Sequence, residues 1–93
     1  MKTIAPKHIF SYDGVMHHVF HASAGEGLSR HEHPFAHATI CHAGACVIRK
    51  ESVERRITPS DGAFDLPANK WHEIEAVADG TVFENIFSKE KVK

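Results

Sequence analysis

The 93-residue sequence lacks most of the features that mark a specialised class of protein. It has only two cysteines, Cys41 and Cys46, too few for the disulfide framework of a small secreted scaffold. No apolar run approaches the ~20 residues that a membrane-spanning helix needs. Residues 1–7 lack the apolar stretch of a secretory signal, so a cytoplasmic location is expected. Neither sign of charge dominates. Eleven Lys and Arg face twelve Asp and Glu, for a net −1 with neutral histidines. That balance provides no basic face for a phosphate backbone, and nucleic acid is not an expected partner. Several catalytic signatures are missing too. There is no glycine-rich phosphate loop, no Gly-x-Ser-x-Gly elbow and no Cys-x-x-Cys pair. His31-Glu32 opens what could be a zincin motif, but Phe35 stands where its second histidine should be, and Pro34 breaks the helix it needs.

Helical periodicity is also absent. No window of ten residues carries a clean apolar stripe, and Pro34, Pro59 and Pro67 cut the candidates short. What remains is an ordinary globular composition, 42% hydrophobic, divided by turn signals such as Asp13-Gly14, Ala43-Gly44, Pro59-Ser60-Asp61-Gly62 and Asp79-Gly80. Between them the spacing predicts strands at 7–12, 15–24, 35–42, 45–50, 54–58, 63–66, 71–77 and 81–88, with Gly25-Glu26-Gly27 as an interruption. Seven or eight short strands in one domain spanning 1–93 imply an all-β, jelly-roll-like barrel, and 89–93 reads as a frayed tail.

Nine histidines are the unusual excess. In such a composition about one His-x-His pair is expected by chance, but the triple His-x-His-x-x-x-His at only about 0.1 per chain. His31, His33 and His37 form that triple and share strand parity, so one extended segment could aim all three inward. His72, at the head of a separate strand, could close a cage around a divalent transition metal. His8, His17, His18, His21 and His42 are read as ordinary structural histidines.

These residues resemble the cupin family. Its first motif is a glycine, five residues, His-x-His, three or four residues, a glutamate, six residues and a glycine. Here Gly25, His31, His33, His37 and Gly44 keep every spacing, with His37 in the glutamate's place. The second motif lies over 62–76 in Gly62, Pro67, Asn69 and His72, with Gly62 one residue closer to Pro67 than the motif has it, Asn69 for a glycine and Ala76 for the final asparagine. The resemblance covers about 20–88. It implies a small barrel with one metal in its mouth, held by His31, His33, His37 and His72, and a homodimer.

Four neutral imidazoles would leave the ion's full charge uncompensated, so such a site attracts a small anionic molecule. Imidazole suits Fe, Ni, Cu or Zn, with Mn less favoured on softness. Phe35, Thr39, Cys41, Phe64, Ile74, Phe83 and Asn85 are the candidates for the pocket, and Phe10, Phe20 and Trp71 for a subunit interface. Glu32, Glu73 and Glu75 have the wrong parity for a general base, so no catalytic side chain is assigned. The leading expectation is a metal-dependent enzyme of dioxygenase or oxidoreductase type. A non-catalytic ligand-binding or structural barrel, and a metal-assisted isomerase or lyase, are the alternatives.

Overall fold

The computed structural model describes residues 1–89. Ten strands form: β1 (Lys2–Thr3), β2 (His8–Tyr12), β3 (Val15–Ala22), β4 (Glu26–His31), β5 (His37–Ala43), β6 (Cys46–Lys50), β7 (Val53–Ile57), β8 (Ala63–Leu66), β9 (His72–Ala76) and β10 (Thr81–Ser88). A single turn of 3-10 helix at Pro59–Asp61 is the only other regular element among the described residues. No helix there is long and apolar enough to cross a membrane. The strands make two five-stranded sheets, ordered β1-β4-β9-β6-β7 and β2-β3-β10-β5-β8. Every pairing is antiparallel except β1 with β4.

The all-β expectation holds, and the core follows from strand alternation. Along β9 and β5 every second residue is buried, as expected where one sheet face meets its partner and the other meets solvent. The first sheet contributes Cys46, Ile48, Ile57, Ile74 and Ala76, and the second Phe20, Ala22, Cys41, Leu66 and Phe83. Full burial of each large apolar side chain is worth roughly 1.5–3 kcal/mol. Phe20 stacks on Phe83 at 4.7 Å between ring centroids, so it is a core residue and not the interface residue expected from sequence. Trp71 is half-buried beneath the Arg30 guanidinium, 3.8 Å from the ring centroid. Both cysteines are free and buried. Burial pushes the Cys46 thiol up to about 12 and raises that of Cys41, so both behave as small apolar groups.

Two strands, β1 and β4, have no counterpart in the expected pattern. The glycines at 25 and 27 read as an interruption, yet Gly27 lies inside β4. Its lack of a side chain is what allows the pairing, because a Cβ there would fall on the Ile74 carbonyl of β9. Of the expected frayed tail only Lys89 is described, and its backbone N–H donates to Gly14 (2.9 Å); residues 90–93 lie outside the described residues.

Candidate metal centre

The two sheets bring the four motif histidines together at one end of the barrel by different routes. His31 ends β4, His72 opens β9 and His37 opens β5, while His33 lies in the loop that crosses between the sheets. The three histidines of the triple therefore do not share one strand. Shared parity in an extended segment is not the reason they converge.

A β-bulge is part of the reason. On β4, Leu28 pairs with Ile74 and His31 with His72, so three steps on one strand match two on the other. Without the extra residue, Arg30 would share the inward face with Leu28. The bulge re-aims His31 toward the interior instead. The loop carrying His33 is pinned by the neighbouring loop between β8 and β9, where the Asn69 backbone N–H donates to the His33 carbonyl (2.8 Å). Asn69 has φ +60°, the left-handed conformation that asparagine tolerates, in the position where the cupin motif has glycine.

Three of the rings are oriented in the same way. The Nδ1 of His31 meets the Ser29 carbonyl (2.7 Å), that of His33 the Phe35 carbonyl (2.9 Å) and that of His72 the Lys70 carbonyl (3.2 Å). An Nδ1–H that donates to a carbonyl leaves Nε2 as the lone-pair atom, the arrangement by which proteins fix a metal-binding tautomer. One nitrogen from each of these three rings lies within 4.8 Å of the others, close enough to hold one ion. His37 stands beside them, its ring centroid 4.8 Å from that of His33 and 4.9 Å from that of His72.

Burial sets the electrostatics. His72 is 1% exposed and His37 6%. Burial, reinforced by the rings of His72, His33 and His31, holds His37 down at about 3. Burial, then His31 and His33, holds His72 at about 4. Both are neutral at physiological pH, which is the ligand form. Among the described residues, three buried side-chain polar atoms have no hydrogen-bond partner: both ring nitrogens of His37 and Nε2 of His72. A buried polar atom without a partner costs roughly 1–3 kcal/mol, so a cluster of them at one point fits an absent cation better than a packed core. Among the described residues no carboxylate faces these rings. Glu32 is exposed, Glu75 is paired with Arg49 (2.9 Å) and Glu73 lies 4.0 Å from Arg30.

A cleft of about 200 Å³ opens beside the cluster, lined by His18, Phe20, Leu28, His31, His33, Phe35, His37, Asn85 and Phe87. Phe35 and Asn85 are the only two of the seven expected pocket residues in that lining. Cys41, Ile74 and Phe83 are core residues, and Thr39 is wholly buried behind Asn85. Phe64 packs against the core beneath the cations of Lys50 and Arg55. His18, assigned a structural role from sequence, instead faces the cleft, edge-on to Phe87 at 5.1 Å. Its same-face neighbour Phe20 could have flagged it, since both alternate inward along β3.

The fold matches solved cupins. KdgF from Halomonas sp. superposes with a TM-score of 0.77 at 22% identity, over 88% of this chain and 76% of that one. A cupin superfamily protein from Desulfitobacterium hafniense gives 0.71 at 21% identity, over 91% and 81%. Oxalate decarboxylase from Bacillus subtilis, studied for its Mn(II) centres, gives 0.71 at 18% identity, over 81% of this chain and 21% of that one. No protein-family model and no curated protein sequence matches. The chain thus has the cupin fold.

Proposed function

We propose that this chain is a metal-dependent cupin enzyme that binds one divalent transition ion through His31, His33, His72 and His37 and acts on a small anionic molecule. The observation that carries the reading is the set of unpartnered imidazole nitrogens converging at one end of the barrel. An all-histidine donor set leaves the ion's charge undiminished, and the Lys50 ammonium adds a positive field at His72. Both favour an anion in the adjoining cleft. When bound, the metal would supply Lewis acidity and, if Fe, Mn, Ni or Cu, redox capacity. The protein's own part is to hold His37 and His72 neutral by burial, fix the tautomers of His31, His33 and His72 through backbone carbonyls and wall the cleft with Phe20, Leu28, Phe35 and Phe87.

Oxidoreductase chemistry of dioxygenase type is the activity proposed, in the cytoplasm, where Cys41 and Cys46 stay reduced. The cleft lining carries no carboxylate, and His18 is its one titratable side chain outside the proposed ligand set, which favours chemistry centred on the metal. A homodimer belongs to the same reading. Strand β2 is a sheet edge that exposes Ile9, Phe10 and Tyr12 and carries no charged residue to repel a second copy. Elemental analysis of tag-free protein, with light scattering on the same sample, tests all of this. About one ion per chain and twice the 10.3 kDa chain mass are expected. A metal-free protein that takes up no ion on titration would overturn the reading.

A further inference from the structure

The inner face of the second sheet changes character row by row. Phe83 lies across from both Cys41 and Phe20, an apolar row in the core. The next row toward the histidines has Asn85 across from both Thr39 and His18. Beyond it, Phe87 faces Met16, and His37 lies two residues from Thr39 along β5. A complete polar row inside a barrel this small serves no packing purpose. Each of its groups would be cheaper as a valine or leucine.

The row is also ordered. Thr39 is fully buried, and its hydroxyl donates to Asn85 Oδ1 at 2.6 Å. That is the only hydrogen bond of the Asn85 side chain among the described residues. With Oδ1 taken, what Asn85 offers the cleft is its amide N–H donors. Asn85 is 8% exposed and lines the cleft together with His31, His33 and His37. A carboxamide whose N–H donors are unengaged favours an oxygen acceptor. The remaining wall is Phe20, Leu28, Phe35 and Phe87, which tolerates only a short apolar remainder in about 200 Å³.

We propose that Asn85, locked by Thr39, is the specificity-determining donor of the cleft, reading a carboxylate or keto oxygen of a small carboxylic acid whose other end faces the histidines. Thr39 is a positioning residue, acting only through Asn85. The proposal rests on the metal-centre reading for the second anchor of the acid, but not for the role of Asn85 itself.

The test is calorimetric titration of acetate, malonate and pyruvate into cobalt(II)-loaded wild-type protein and variants, with cobalt content measured for each. Asn85→Leu should weaken the best-bound probe about 10- to 100-fold, the range for a hydrogen bond to a charged group, with cobalt stoichiometry unchanged. Because that change orphans the Thr39 hydroxyl, the apolar pair Thr39→Val/Asn85→Leu serves as the variant that keeps its fold, and it should show the same loss. Thr39→Val should weaken binding severalfold, and Thr39→Ser should restore it. Wild-type affinity in the double variant, or no binding of any probe to the wild type, would overturn the proposal. If the wild type takes up no cobalt, the metal-centre reading fails by itself. Asn85 is then decided by titrating the probes into the metal-free protein and following its side-chain amide pair by NMR. A displaced pair supports the proposal, and an unmoved pair overturns it.

Discussion

The chain gathers histidines in two places, on the outer face of its second sheet and at the barrel mouth where the two sheets meet, and the two groups are provided for in opposite ways. On the outer face, His17 Nδ1–H and His42 Nε2–H donate to the two oxygens of Glu84, at 2.7 and 2.8 Å, and Phe10 stacks on the His17 ring. Burial by itself would raise the Glu84 carboxyl, but the His42 and His17 hydrogen bonds outweigh it and leave it below the ordinary carboxylate range. At the barrel mouth, His31, His33, His37 and His72 crowd together with no carboxylate among the described residues, and three of their buried nitrogens have no partner. The outer cluster is complete with protein atoms alone. The inner one leaves buried imidazole nitrogens that no protein atom satisfies, the donor set a cation would take. Histidine count cannot separate the two cases; the accounting of lone pairs does.

The largest effect should come from filling the inner cluster. A divalent ion at about 1,000-fold over its dissociation constant would stabilise the folded chain by about 4 kcal/mol. Thermal melts with cobalt or zinc should therefore shift upward by many degrees and return with chelator. His33→Ala and His72→Ala should lose the shift. His17→Ala should keep it, and a loss there would erase the distinction between the clusters.

Substitutions without metal should have opposite signs at the two sites. His37→Leu removes two unpartnered buried nitrogens and fills their space with apolar volume, so the metal-free chain should gain roughly 1–3 kcal/mol while its metal affinity falls. Glu84→Gln breaks a satisfied network and should cost about 1–2 kcal/mol with metal affinity unchanged. Urea unfolding of the two variants beside the wild type measures both. Destabilisation by His37→Leu would show that the ring packs as core.

Much of this was legible in the sequence, for reasons that also mark its limits. Turn signals and period-two alternation located eight of the ten strands, because one buried face per strand writes itself into local pattern. The histidine spacing named three rings of the cluster, and the head of a separate strand suggested His72 as the fourth. What local pattern could not carry was contact between strands. Gly27 looks like a turn residue until β9 is seen against it, and the bulge that turns His31 inward exists only relative to the register of Ile74 and His72. Of seven proposed pocket residues only Phe35 and Asn85 reach the cleft, because parity tells inside from outside but not core from cavity. His18 reads as structural from sequence for the same reason, since local pattern does not tell a strand residue that faces a cleft from one that faces the core.

Acid should separate the clusters by pH window. An unfolded chain protonates its histidines near the ordinary 6.5, whereas folded His37 and His72 stay neutral down to about 3 and 4. Between those values the unfolded state binds more protons, so metal-free stability falls as pH drops from about 6.5. The Glu84 carboxyl is shifted below its ordinary 4.5, so its contribution is intact above that value and is lost only as pH falls further. Melting temperature against pH should thus decline in two stages. His37→Leu should weaken the upper stage, and Glu84→Gln the lower.

The smallest effect concerns the turn that holds the loop of the inner cluster. Asn69 has φ +60°, and its N–H anchors the His33 carbonyl from the neighbouring loop. A left-handed conformation costs an ordinary L-residue roughly 1–2 kcal/mol, and asparagine less. Asn69→Ala should therefore lose about 1 kcal/mol, while Asn69→Gly should stay within a few tenths of wild type. The informative readout is metal affinity. His33 is placed by a loop and not by a strand, so its position depends on that anchor as the positions of His31 and His72, which pair directly across β4 and β9, do not. A strained anchor in Asn69→Ala should weaken metal binding by more than its stability loss explains, and Asn69→Gly should leave binding intact. Equal binding in both would mean that the loop is held by the rings themselves.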